Sequence, residues 1–128
     1  MRIAGIFILA LTILAGAGSL APARAEGDRS NGRKIFKECG NCHSVRAGKY
    51  GTFGPNLYGV VGRRAGMAAE HDYSPALKDA DFAWTVERLD HWLAGPEKFL
   101  PGAEMEFSLD SAADRADVIA YLIAAGKR

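Results

Sequence analysis

Residues 39–43 read Cys-Gly-Asn-Cys-His, and they hold both cysteines of this 128-residue chain. Three positions apart on a helical turn, the two thiols reach the same side, and the residue that follows aims an imidazole beside them. Several uses of such a pair compete. A thioredoxin-like redox couple sits in a βαβ setting, and no strand pattern occurs here. A zinc site needs four ligands, and there is no second cysteine pair. A disulfide alone leaves His43 unexplained. The remaining use is attachment of a c-type haem: the thiols add to its vinyl groups as thioethers, and His43 binds the iron from one side. For a short chain with a limited core, such a group supplies a large apolar surface to pack around.

A methionine opposite the histidine marks an electron-transfer haem and raises its potential. The candidates for this second position are Met67, Met105, His71 and His91. Met105 lies in Phe99-Leu100-Pro101-Gly102-Ala103-Glu104-Met105-Glu106-Phe107, where Pro-Gly signals a turn and leaves the side chain free to be aimed. Phe99, Leu100 and Phe107 are placed to shield the iron from water. Met67 follows a polar, glycine-containing stretch and reads as a surface or gap-filling residue. His71, between Glu70 and Asp72, reads as part of a solvated loop, and His91 lies inside a helical pattern. Met105 is therefore the expected sixth ligand.

The chain opens with Met1-Arg2, an apolar run and Ala23-Arg24-Ala25. That order reads as a secretory signal peptide over residues 1–25, cleaved after Ala25, with one domain over residues 26–128. An uncleaved anchor is the rival, since Ile3 to Leu20 is 18 residues, at the lower limit for a spanning helix. Cleavage removes Arg2 and Arg24, taking the basic residues from 16 to 14 against 15 acidic ones. Neither balance suits a nucleic-acid binder. The periplasm is the expected location.

Four helical segments are predicted, and no strand. Asp28 to Glu38 is the first; Gly32 is costly there unless another helix approaches closely. Tyr73 to Asp79 is opened by Ser74-Pro75. Thr85 to Ala94 carries Val86, Leu89 and Leu93 at helical spacing and is stopped by Gly95-Pro96. Ser111 to Ala125 has a serine cap and a stripe of Val118, Tyr121, Leu122 and Ala125. Between the first two, Ser44 to Met67 is dense in glycine and proline and reads as a long loop. A long loop in a small domain needs something to wrap.

Together these residues resemble class I cytochrome c, most closely the mitochondrial cytochrome c and bacterial cytochrome c2 group. The resemblance covers nearly all of residues 26–128 and implies an all-α fold of four to five helices and long loops around one covalent haem c. Cys39, Cys42 and His43 match the haem-binding run, and Met105 the sixth ligand. Gly54-Pro55-Asn56-Leu57 matches the segment whose proline carbonyl accepts a bond from the proximal histidine. Arg63, Tyr73 and Trp84 match positions around the haem propionates, and Phe107 one near the exposed edge. There are departures. Leu77, Ala103 and Trp92 stand where asparagine, threonine and a tyrosine bonding the methionine sulfur are usual, which thins the polar network. Glu38, Glu97 and Glu104 stand where mitochondrial proteins present lysines, with Lys98 remaining.

The implied function is that of a monomeric electron carrier, with no enzymatic turnover and no small-molecule substrate. The implied donors are a quinol–cytochrome c reductase or a periplasmic dehydrogenase. The implied acceptors are a terminal oxidase, a reductase or a photosynthetic reaction centre. Two alternatives stay open: a membrane-tethered or subunit cytochrome, and a haem enzyme whose sixth position is open.

Overall fold

Asp28 starts the first helix by accepting the Ser30 and Asn31 backbone N–H groups at 2.7 and 3.2 Å, satisfying donors a helix start leaves orphaned. The computed structural model describes residues 26–127; the signal segment expected at 1–25 lies outside the described residues. Helix α1 runs Arg29–Cys39, α2 Pro75–Lys78, α3 Val86–Ala94, α4 Pro96–Phe99 and α5 Ala112–Ala125. Among the described residues the only β-type pairing is a single antiparallel bridge between Arg64 and Ala83. The domain is all-α, as expected.

The α1–α5 pair is the frame. A Cβ on Gly32 would collide with the Asp117 carbonyl and lie 3.0 Å from the Tyr121 Cβ, so only glycine lets the two backbones approach. One turn on, Phe36 meets Tyr121 with ring centroids 5.3 Å apart. The Asp117 carboxylate ties the crossing by accepting the Asp28 backbone N–H at 2.6 Å and the Asn31 side-chain amide at 2.8 Å. Val118, Ile119, Leu122 and Ala125 form the buried face of α5.

Thr85 caps α3 and Ser111 caps α5, each through its hydroxyl. The two helices are joined by a buried ion pair, Arg115 Nε to Asp90 Oδ1 at 2.9 Å, with side chains only 13% and 11% exposed. Two expectations are corrected. The second helix is four residues long, because the Ser74 hydroxyl accepts the Leu77 N–H and so caps it, leaving Tyr73 outside. Gly95-Pro96 does stop α3, but Pro96 is also the first residue of α4. A proline has no N–H to lose at that position and a φ already suited to it.

The glycine-rich loop is pinned to the segment before α3. Gly62 N–H donates to the Trp84 carbonyl at 2.7 Å, Trp84 N–H to Arg63 at 2.8 Å, and Ala65 N–H to Phe82 at 2.9 Å. Behind it Phe82, Trp84, Trp92 and Phe99 pack mostly edge to face, with centroids 5.0–6.2 Å apart.

Candidate functional site

The end of α1 delivers the Cys-Gly-Asn-Cys-His run. Beyond the helix, the Cys42 and His43 N–H groups donate to the Cys39 carbonyl at 3.1 and 2.9 Å, so the chain makes one further tight turn. That turn brings Cys39, Cys42 and His43 to the wall of one cavity of about 560 Å³. The sulfurs are not joined to each other. Burial pushes the Cys39 thiol up from its ordinary value, helped by the Glu38 charge. A reactive redox pair needs the opposite shift.

His43 is oriented by the loop that follows it. Its Nδ1 lies 2.8 Å from the Pro55 carbonyl. A carbonyl only accepts, so Nδ1 carries the proton and Nε2 keeps its lone pair, as a metal-binding imidazole requires. A Cβ on Gly54 would overlap the ring, so the loop lies directly against the imidazole. Burial lowers the His43 pKa against the opposing pull of Pro55, with His71 adding to the lowering; the ring is neutral at neutral pH.

Met105 lines the same cavity, on the loop between α4 and α5. The Trp92 indole N–H donates to its Sδ at 3.2 Å. The loop is shaped by Ala103 N–H to the Leu100 carbonyl and by Gly102 N–H to the Glu97 carboxylate, both at 3.0 Å. Met67 is 62% exposed, and His91 is exposed on α3. His71 is a correction: it lines the cavity, half-buried, with its ring edge-on to Tyr73 at 4.7 Å. Its charged neighbours turn away, Glu70 to the Asn56 N–H and Asp72 to Lys78.

Pro55, Arg63, Tyr73, Trp84 and Phe107 also line the cavity, so the nine residues assigned from the sequence to the haem and its iron share one wall. Arg63 donates to the Asn56 and Tyr58 carbonyls at 2.8 and 3.3 Å, while its buried Nε has no hydrogen-bond partner. The Tyr73 oxygen accepts the Ala68 N–H, leaving its own proton to donate, and burial raises its pKa. Arg64, next to Arg63 in sequence, is instead exposed and paired with Asp81. Phe99 and Leu100 do not line the cavity. Phe99 turns back into the tryptophan cluster, and of the three expected shields only Phe107 reaches the site.

These residues fit a haem. The wall is apolar, through Phe36, Leu57, Leu77, Leu89, Leu93, Val118 and Leu122. The volume is within the roughly 300–1,000 Å³ usual for ligand cavities. The His43 imidazole and the Met105 thioether are donors of the kind haem iron takes, and the orphaned Arg63 Nε with the Tyr73 hydroxyl suits carboxylates. Leu77, placed by the resemblance in the network around the haem, does line the cavity, whereas sequence reasoning missed His71 as a wall residue. It also missed Asn56, whose amide donates to the Arg46 carbonyl at 2.7 Å and whose backbone N–H is held by Glu70 at 3.0 Å. An Asn after Pro in a glycine-rich loop was the available signal.

The family model for cytochrome c matches residues 30–125. Cytochrome c of Theileria parva is 43% identical over 99 residues, covering 76% of this chain and 85% of the relative. Cytochrome c of Guizotia abyssinica is 44% identical over 106 residues, covering 81% and 95%. Among solved structures, cytochrome cH from Methylobacterium extorquens superposes with a TM-score of 0.71 at 37% identity, covering 77% of this chain and 99% of that one.

Proposed function

This chain belongs to the cytochrome c family and carries one covalent haem c, and on that premise we propose that it is a periplasmic monohaem electron carrier ligated by His43 and Met105. The observation that carries the reading is the pairing of two held ligands on one cavity: an imidazole fixed by Pro55 and a thioether fixed by Trp92. With His43 and Met105 both holding the iron, no position would be left on it for a substrate.

The haem supplies one-electron chemistry, cycling between ferric and ferrous iron. The chain does the rest. Cys39 and Cys42 anchor the group, and Pro55 holds His43 in one tautomer and orientation. Trp92 keeps the Met105 sulfur in place, so that little rearranges as charge changes. Trp84, Leu89, Leu93 and Val118 exclude water from the interior wall. Arg63 and Tyr73 would hold the haem carboxylates.

Residues 1–25 serve as a cleaved signal and residues 26–128 as the mature domain. No helix among the described residues is long and apolar enough to cross a membrane. The partners are redox proteins: a quinol–cytochrome c reductase or periplasmic dehydrogenase as donor, a terminal oxidase or reductase as acceptor, within a respiratory chain.

Visible spectra of the periplasmic protein, with and without dithionite, test the reading. The expected result is a reversible low-spin c-type spectrum whose ferric form has the weak long-wavelength band of sulfur-to-iron charge transfer, lost in Met105→Ala. A high-spin ferric spectrum in the wild type overturns it in favour of an open site.

A further inference from the structure

We propose that the mouth of the haem cavity is a docking face for a redox protein that presents lysine or arginine side chains around an apolar centre. The proposal rests on the electron-carrier reading and adds the chemistry of the partner to it.

Six of the residues lining the cavity are exposed, and they form its rim: Glu38, Asn41, Phe53, Glu104, Glu106 and Phe107. Every charge among them is negative. The chain as a whole does not impose this, since it has 16 basic and 15 acidic residues. Lys37 and Lys98 lie close in sequence to Glu38 and Glu97, yet neither lines the cavity. Glu97 itself is engaged with the Gly102 N–H and does not line it either. None of the three rim carboxylates is ion-paired among the described residues.

Two features make this rim more than a solvated edge. Glu38 sits in the last turn of α1, the end where the helix dipole disfavours an anion. Glu104 and Glu106 flank Met105 on one short loop, so their like charges add to a common field. Phe53 and Phe107, 77% and 39% exposed, line the same cavity as these acids. Exposed phenyl groups sharing a cavity mouth with unpaired carboxylates suit an interface with a desolvated centre and a polar rim. A basic partner is attracted and oriented by such a field, chiefly through a faster encounter. The same face of a second copy, or an anionic lipid surface, is repelled by it.

Stopped-flow reduction of the ferric holoprotein by two small reagents of opposite charge tests the proposal: hexaammineruthenium(II), a cation, and ferrous EDTA, an anion. Ionic strength is varied from about 0.01 to 1 M, over which the Debye length falls from about 30 to 3 Å. The expected rate with the cation falls about tenfold, at the lower end of electrostatic steering gains, and the rate with the anion rises. The Glu38→Gln/Glu104→Gln/Glu106→Gln protein loses most of both slopes. The Glu26→Gln/Asp79→Asn/Asp81→Asn protein has the same change in net charge, away from the cavity lining, and keeps them. Equal slopes in the two triple variants, or slopes of the opposite sign in the wild type, overturn the docking face and leave the carrier reading intact. Failure of both reagents to reduce the wild type overturns the carrier reading itself, and the docking face with it. As a readout independent of electron transfer, decalysine peptide titrated into ¹⁵N-labelled ferrous wild type is expected to shift the amides of Glu38, Asn41, Glu104 and Glu106 first; first shifts elsewhere overturn the assignment.

Discussion

Trp92→Phe removes one hydrogen-bond donor and keeps an aromatic ring in place. Trp92 is 8% exposed, and its ring lies edge-on to Trp84 at 5.3 Å and to Phe99 at 6.2 Å. A phenyl ring occupies part of the same volume, so much of that packing survives. What is lost outright is the 3.2 Å N–H···S contact with Met105. A neutral hydrogen bond contributes a net of about 0.5–1.5 kcal/mol. With Met105 on the iron, that energy resists displacement of the sulfur by an added ligand. At about 1.4 kcal/mol per factor of ten, its loss raises the apparent affinity of a competitor about two- to twelvefold. The assay is an absorbance titration of ferric protein with imidazole. Phe82→Leu is the comparison: Phe82 packs on Trp84 at 5.0 Å and on Phe99 at 5.7 Å but does not line the cavity. It is expected to lower stability without changing the imidazole affinity. An unchanged affinity in Trp92→Phe, or the same gain in both variants, refutes the reasoning and reduces the indole to packing.

Three further outcomes follow from the geometry. Gly32→Ala forces α1 away from the Asp117 carbonyl and costs about 1–3 kcal/mol, as overpacking does; urea denaturation of the holoprotein measures it, and no loss means that the crossing is looser than described. Asp90→Ala strands the buried Arg115 guanidinium and costs about 3 kcal/mol, the lower end for breaking such a pair, because Arg115 keeps the Leu109 and Asp110 carbonyls. The Glu70 pKa is lowered, first by the Asn56 N–H it accepts. A carboxyl depressed on folding adds stability above its unfolded pKa and loses it as pH falls through the folded one, so Glu70→Gln flattens the acid limb of a stability-against-pH curve, and an unaltered limb counts against the contact.

Local chemistry made much of this molecule readable in advance. Asp28, Ser74, Thr85 and Ser111 each cap the helix they were expected to begin, because a short polar side chain before an apolar stripe has one favourable use there. Gly32 pointed to a close helix contact and the resemblance put the last helix, near Tyr121, against it, as found; that the closest group is the Asp117 carbonyl only the structure shows. The cysteine–histidine run and Met105 pointed to one site, and the structure brings them to one cavity, because their side chains have few other uses in that setting. What was hidden depends on how distant segments face one another. Charged neighbours made His71 look solvated, yet they turn outward while its ring packs on Tyr73. Phe99 lies beside the Met105 loop in sequence but spends its surface on Trp84 and Trp92. The resemblance put a sulfur-bonding position at residue 92 but counted Trp92 as a loss there; the structure corrects this, because the indole N–H reaches the Met105 sulfur as a donor. Pro96 stops one helix and begins the next, and only the fold decides whether the second forms.

The most direct measurement is peptide mass spectrometry of the purified mature protein. The account predicts one peptide containing Cys39, Cys42 and His43 that carries the mass of a single haem, with both sulfurs resistant to alkylation without prior reduction and equally resistant after it. A peptide of unmodified mass, whose two thiols alkylate at once or after reduction of a disulfide, contradicts it.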